Sequence, residues 1–323
     1  MAWIRTLACV AAALFVTNVA ASAQTPPPAW PQRLVKFILP LGAGSGVDIT
    51  ARLLGDKLSQ KWGQSVVVDN RPGGDGVVAI SAFTTAHDTH TLLMSPTSAF
   101  THHPWAMDKM PYDPADLVPI VRITNTIVAI VVPASSTINS LAELDKAVLA
   151  NPGKFNQANI TGFFDMVFHG FQKQHHWQIE SVPYRNPVQA SNDLAEGRIQ
   201  LLMAAMAIVQ PLVQAGKLKM IAVTASKRPS IANLPTTAEA GFPDLTIDGL
   251  VGLFGPRELP AATRERIAAD VRTVLADPTV AARLASTGQV VNPGTPKEFE
   301  ASMDVQRKQA AQAAKILGLK KAE

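Results

Sequence analysis

The stretch from Leu34 to Leu54, LVKFILPLGAGSGVDITARLL, constrains the fold more than any other part of the chain. It opens with an apolar run, Leu34 to Leu39, that suits a strand buried on both faces. Pro40 ends the run because proline has no N–H for a ladder. Gly42, Gly44 and Gly46 follow, alternating with Ala43 and Ser45. Without a Cβ, such a loop lets backbone N–H groups approach a ligand closely. Ser45 or Asp48 is placed to cap a helix, and Ile49, Leu53 and Leu54 fall at helical spacing. Strand, glycine loop and helix N-terminus in that order make either an anion site or a tight turn that binds nothing.

The same plan repeats. Ser65–Asp69 reads as a second strand, Asn70–Gly76 as a second glycine-rich loop and Val77–Ala86 as a second helix. A third strand, Thr91–Met94, ends at Ser95-Pro96-Thr97-Ser98. This alternation predicts a parallel sheet, whose ligands lie outside the carboxyl ends of the strands. Ile120–Val132 reads as one long strand, interrupted at Thr124-Asn125-Thr126, that crosses to a second α/β unit. That unit contains a loop at Asn159–Gly162, a helix over Asp165–His175 and a returning strand at Lys219–Thr224. Gly249–Gly255 and three amphipathic helices, the last from Lys297 to about Leu317, complete the chain. The expected fold is therefore α/β in two lobes, each a Rossmann-like sheet flanked by helices. Residues 24–126 and 230–323 form the first lobe and residues 127–229 the second.

Residues 1–23 read as a cleaved signal peptide. Arg5 precedes a short apolar run, and Ala21-Ser22-Ala23 follows it with the small residues a signal peptidase reads. Removal leaves about 300 residues of the 323, ample for two domains. No later stretch is apolar over the length needed to span a bilayer. The expected location is the periplasm. Cys9, the one cysteine, lies in the leader, so the mature chain has no disulfide, thiol nucleophile or thiolate metal site. The net charge of +4 is scattered, without basic runs interleaved with aromatics, so nucleic acid is not an expected partner.

Catalytic readings fit poorly. Gly42 and Gly44, with Asp69 after the second strand, imitate a dinucleotide fingerprint, but its third small position is Val47. Ser45 lacks the glycines that a nucleophile elbow places two residues either side, and no His or Asp can be assigned to it. The seven histidines lack metal-ligand spacing, so neither a metal nor a cofactor is expected. What remains is a cleft lined by glycine- and hydroxyl-rich helix N-termini, which describes a binding protein. A secreted α/β hydrolase-like enzyme is the alternative.

From Trp30 to the last helix the chain resembles the Bug, or TctC-type, extracytoplasmic solute receptors of tripartite tricarboxylate transport. The resemblance rests on motifs in order: Leu39-Pro40 to Arg52, Val66-Val67-Val68-Asp69-Asn70-Arg71-Pro72-Gly73-Gly74, Pro111-Tyr112-Asp113-Pro114, Asn151-Pro152-Gly153-Lys154, Val182-Pro183-Tyr184, Ala215-Gly216-Lys217-Leu218 and Leu234-Pro235-Thr236-Thr237-Ala238-Glu239-Ala240-Gly241. It implies a Venus-flytrap fold without catalysis. It also implies a small carboxylate ligand held largely by backbone N–H groups, and membrane permease subunits as partners of a monomeric receptor. An orphan receptor feeding a signalling system is equally consistent with it.

The family's ligand loops fall on Leu41, Gly42, Ala43, Gly44, Ser45, Gly46 and Asp48, on Ser95, Thr97 and Ser98, and on Asn159, Ile160, Thr161 and Gly162. Asp165 stands where relatives often carry histidine, and Ala204 where they carry an aspartate able to meet a ligand ammonium. Leu41, Ala43 and Val47 depart from the usual first loop, and Phe163, Phe164 and Met203 either add apolar bulk to the cleft or pack the core. The expected cleft is more apolar than usual and suits an aliphatic or aromatic carboxylate better than an amino acid.

Overall fold

A computed structural model describes residues 30–160, 162–230 and 233–322. The expected leader, residues 1–23, lies outside them. The first unit begins with β1 (Val35–Leu39), α1 (Gly46–Trp62), β2 (Val66–Asn70), α2 (Val77–Thr84), β3 (Thr91–Pro96) and α3 (Ser98–Ala106). β1 lies between β2 and β3 and is parallel to both. The α1 residues Val47, Ala51, Leu54 and Leu58, spaced four, three and four apart, form its buried stripe. Gly63, at φ 66°, ends the helix and returns its N–H to the Ser59 carbonyl.

The expected long crossover strand is two strands. β4 (Val118–Thr126) joins the large sheet, and β5 (Val128–Pro133) is central in a smaller one. Ile127 separates them. Its N–H donates to the Gly288 carbonyl at 2.9 Å, and its carbonyl accepts from the Met206 N–H at 2.8 Å. Both backbone groups therefore leave the ladders, and the strand cannot continue through Ile127.

The second unit continues with α4 (Leu141–Ala150), β6 (Phe155–Asn159), α5 (Phe163–Gln174), β7 (Ile179–Pro183), α6 (Pro187–Ala195), β8 (Leu202–Ala205), α7 (Met206–Gln214) and β9 (Leu218–Val223). β5 is antiparallel to β8 and β9, while β6 and β7 form a parallel pair. A parallel bridge between Gln157 and Leu201 joins that pair to the β8 side.

The chain returns with β10 (Gly249–Gly255), α8 (Ala261–Leu275), α9 (Pro278–Ala285), β11 (Gln289–Gly294) and α10 (Pro296–Leu317). The large sheet is mixed, in the order β11-β4-β10-β3-β1-β2. Re-entry comes later than position 230. Val223 N–H bonds to Pro235 O and Ile247 N–H to Thr224 O, while Leu245 and Ile247 are buried in the core around α4 and α5. That core also takes Ala310 and Ala313 of α10, so the last helix spans both units.

The sequence reading contained neither α3 nor β11. Asn292-Pro293-Gly294 reads as loop, and a proline is tolerated in β11 only because it is an edge strand. Among the described residues no helix is long and apolar enough to cross a membrane.

Gly252 fixes how α10 crosses the large sheet. A Cβ at Gly252 would lie 2.0 Å from Cζ of Phe299, which is fully buried. Gly252→Ala is expected to lower unfolding free energy by about 1–3 kcal/mol, as overpacking does, measured by urea denaturation. An unchanged midpoint would show that Phe299 has room to move.

Candidate functional site

β1 and β3 are parallel, so the turns into α1 and α3 leave the same edge of the large sheet. The β6–β8 bridge is also parallel, so the turns into α5 and α7 share an edge in the second unit. α2, after β2, and α6, after β7, leave these same edges, so three helix N-termini in each unit follow strand carboxyl ends.

Residues 287–289 connect the two units. A Cβ at Gly46 would meet Gln289 Nε2 at 2.8 Å and the Thr287 carbonyl at 3.1 Å. One at Gly288 would lie 3.3 Å from the backbone nitrogen of Ala207. Gln289 is buried and accepts hydrogen bonds from Thr124 Oγ1 at 2.9 Å and Thr126 Oγ1 at 3.2 Å. The α1 and α7 termini therefore meet across this turn and Ile127. The turn is not marked in the sequence as a loop. Gly288, at φ 71°, was its one signal.

The first loop is tied down from beneath. Ser45 caps α1, its Oγ accepting the Asp48 N–H at 3.2 Å. Asp48, only 2% exposed, accepts from Gly44 N–H at 2.9 Å, Arg52 Nε at 3.1 Å and Asn70 Nδ2 at 2.9 Å. Asn70 Nδ2 also donates to the Leu41 carbonyl at 2.9 Å. Burial acts to raise the Asp48 pKa, but the hydrogen bonds from Arg52, Gly44 and Asn70 outweigh it and hold the carboxyl below its ordinary range. Asp48 is thus the anchor of the loop, with its carboxylate engaged inside the protein. Gly42, Ala43 and Gly44 are exposed, and Gly46 and Val47 have no intrahelical acceptor for their N–H groups. Val47 itself is buried in the first core, against the expectation that its side chain tunes the ligand surface, while Leu41 is half-buried against that core.

The second predicted loop turns inward. Ser95 is buried and donates to the Pro96 carbonyl at 2.8 Å. Thr97 is also buried, its hydroxyl bonded to Gln306 of α10 and its N–H to the Leu250 carbonyl. Both side chains serve the core, so the loop presents the backbone of the α3 terminus, where Ser98 is the first helical residue.

In the second unit, the Asn159 carbonyl accepts from Tyr184 N–H, and Ile160 is half-buried against the core of α6 and α7. Thr161 lies outside the described residues. Gly162, at φ 147°, is the N-cap of α5. Asp165 lies in the first turn of α5 and pairs with His169, Oδ2 to Nδ1 3.0 Å. Phe163 is 1% exposed inside the core, which makes it core packing rather than cleft lining. Phe164 and Met203 are half-buried against the same core. Ala204 is buried and paired with Ala129 in the ladder, so Ala205 rather than Ala204 heads α7.

The helix caps differ among the termini, Ser45 capping α1. α4, α6, α9 and α10 start with Ser140, Asn186, Asp277 and Thr295, each accepting a first-turn N–H with its side chain. α3, α5 and α7 start with Thr97, Gly162 and Ala205 and have no such bond. α2 and α8 also lack one, and of these two α2 leaves the same edge as α1 and α3. Unsatisfied N–H groups and aligned peptide dipoles together attract an anion.

Other chemistry lies elsewhere. Ser45 is held as a helix cap, which removes the basis for a hydrolase reading at that residue. Among the described residues no group of three or more acidic, histidine or cysteine side chains is placed to hold a metal. A hollow of about 350 Å³ between α5 and α10 includes none of the expected site residues. Asp75, at φ 52°, sits in the second glycine loop between His102 Nδ1 at 3.1 Å and His103 Nε2 at 3.3 Å. His103 Nδ1 is 2.6 Å from the Tyr112 hydroxyl. Burial works to raise the Asp75 pKa, yet the histidine bonds and charges bring it down to about 2.

Two outcomes follow from these anchors. Asp48→Ala leaves Gly44 N–H and Asn70 Nδ2 without their acceptor and is expected to lower stability by about 2–3 kcal/mol, read from denaturation midpoints. For Asp75 the folded pKa lies below the unfolded one, so its stabilisation is full above about pH 4 and is lost as pH falls through about 2. Asp75→Asn is expected to flatten that acid limb in denaturation curves recorded between those pH values. An unchanged limb would remove Asp75 as its source.

The sequence profile described as tripartite tricarboxylate transporter family receptor matches residues 50–316. A UPF0065 protein of Bordetella bronchiseptica is 29% identical, over 94% of this chain and 90% of its own length. A second, from Pseudomonas sp. strain P51, is 30% identical over 83% and 82%. The protein BugT of Bordetella pertussis is 29% identical over 76% and 77%. Among solved structures, an R. palustris protein with adipate has a TM-score of 0.80 at 27% identity, covering 90% of this chain and 99% of that one. The periplasmic binding protein BugD shares the fold, with a TM-score of 0.74 at 24% identity and the same coverage.

Proposed function

We propose, because this chain belongs to the tripartite tricarboxylate transporter receptor family, that it captures a small carboxylate between its two lobes in the periplasm and delivers it for uptake. The observation that carries the reading is the set of helix N-termini. α1 and α3 leave one sheet edge, α5 and α7 the other, and three of the four have no side-chain cap. A carboxylate accepts two or three N–H bonds there, each charge-assisted. Lobes that both contact the ligand are stabilised in the closed state.

The relative solved with adipate supports a ligand carrying a carboxylate at each end, one for each pair of termini. Amino acids suit the site less well. Asp48 and Asp165 both have internal partners, so neither is left to meet an ammonium group. The ligand residues in this reading are the backbone groups of Gly42 to Gly46, Ser98 and Gly162, together with Ala205 in place of Ala204. The first lobe holds the residues up to 126 and from 249 onward, and Ile127 is the first hinge. The leader is cleaved, the receptor is monomeric, and the permease subunits of a tripartite transporter receive the ligand. No turnover is expected.

A thermal-shift panel of mono-, di- and tricarboxylates against amino acids tests this. A dicarboxylate at a hundred times its Kd is expected to add about 2.7 kcal/mol of stability. Stabilisation by amino acids alone would overturn the ligand class, and the mass of any co-purified small molecule would identify the natural ligand.

A further inference from the structure

One jaw of the proposed clamp carries a charge of the wrong sign. Asp165 lies in the first turn of α5, within the helix terminus assigned to a ligand carboxylate. Like charges brought to one helix terminus repel. The carboxylate is 16% exposed, too buried to be well screened by solvent. Among the described residues its ion-pair partner is His169, one helical turn on.

His169 is built to exist in two protonation states. Its Nδ1 donates toward Asp165, 3.0 Å from both Oδ2 and the Asp165 carbonyl. Its Nε2 lies 2.9 Å from Ser181 Oγ on β7 and 3.0 Å from Gln157 Nε2 on β6. When the ring is neutral, Nε2 accepts from Gln157. When it is protonated, Nε2 donates to Ser181, and the Gln157 amide, a second donor 3.0 Å away, must turn from the ring toward its partner Gln172 Oε1. The same ring nitrogen would have to take a proton from Ser181 in a nucleophile relay, and the competing Gln157 amide argues for charge control instead.

On β7, Glu180 alternates to the face opposite Ser181. Lys308 of α10 and Asp244 lie at the hollow lined by Val167, Gly170, Phe171 and Gln174, the other stripe of α5. Asp244 is engaged with His175, and the α3 histidines His102 and His103 with Asp75. Lys173, on the helix itself, is in its last turn.

We infer that the Asp165–His169 pair sets the charge of the second-lobe jaw and so couples ligand capture to pH, a role resting on the carboxylate reading above. With His169 protonated, Asp165 is neutralised and the α5 terminus accepts the anion. With His169 neutral, the Asp165 charge opposes it. The hydrogen bond to Asp165 raises the His169 pKa from its ordinary value against the opposing effect of burial, so the change is displaced upward. By linkage, a bound anion favours the proton and the proton favours the anion.

Adipate binding to the full chain, measured calorimetrically from about pH 6.5 to 9, tests this. The expected wild-type affinity falls roughly threefold to tenfold as pH rises, the size of one partly screened charge interaction. Binding near the midpoint takes up a fraction of a proton, seen as an enthalpy that depends on the buffer. Asp165→Asn is expected to bind tightly with a flat profile, and His169→Gln weakly with a flat profile. A wild-type profile that is flat without proton uptake overturns the inference, as does an Asp165→Asn profile that keeps its slope. The wild-type measurement decides alone if either variant fails to fold. If no carboxylate of the panel binds at any pH, the carboxylate reading falls and this inference with it.

Discussion

Ile127 carries the constraint on which the arrangement depends. Its N–H and carbonyl bond to Gly288 and Met206 rather than to a neighbouring strand. One apolar run is thereby cut into β4 and β5, which enter different sheets. The same two bonds bring the turn before β11 against the start of α7, while Gln289 and Thr287 in that turn sit against the start of α1. A pair of backbone hydrogen bonds thus brings the first unit's α1 terminus to the second unit's α7 terminus. Such bonds depend little on side-chain identity, since every non-proline residue has the groups to make them.

Around that junction the protein separates polar groups by use. Buried side chains that could have served a ligand hold the scaffold: Asp48 secures the glycine loop, Thr97 reaches Gln306 on α10, and Ser95 turns back on its own strand. The ligand surface is left to backbone N–H groups. Such a surface is rigid, because each N–H is fixed by the helix behind it, and selective for anions, because donors and dipole have the same sign. Asp165 is the exception, and its histidine partner gives the exception a use.

Much of the first unit was legible in the sequence. β1, α1, β2 and β3 lie within a few residues of expectation, because apolar runs, the glycine loop and helical spacing report local preferences. α3 was not legible. It contains two histidines and Pro104, and no amphipathic pattern marks it. β11 was hidden by Pro293 and Gly294. By nearness in sequence to a loop Val47 reads as cleft lining and Phe163 as either lining or core, yet each is the first inward-facing residue of its helix. One residue of helical rotation decides that difference, and no local pattern records it.

The sequence by itself determined the α/β class, the glycine loop beneath a helix terminus, the family to which the chain is similar, and the absence of a thiol in the expected mature chain. These depend on residue type and short-range spacing. Only the tertiary structure decided that the crossover breaks at Ile127, that Asp48 faces inward, that Ala205 rather than Ala204 heads α7, and that Asp165 meets His169 with Gln157 and Ser181 behind it. Each of these joins groups from separate elements. Their hydrogen bonds form only once both sheets exist to hold the donors and acceptors at bonding distance.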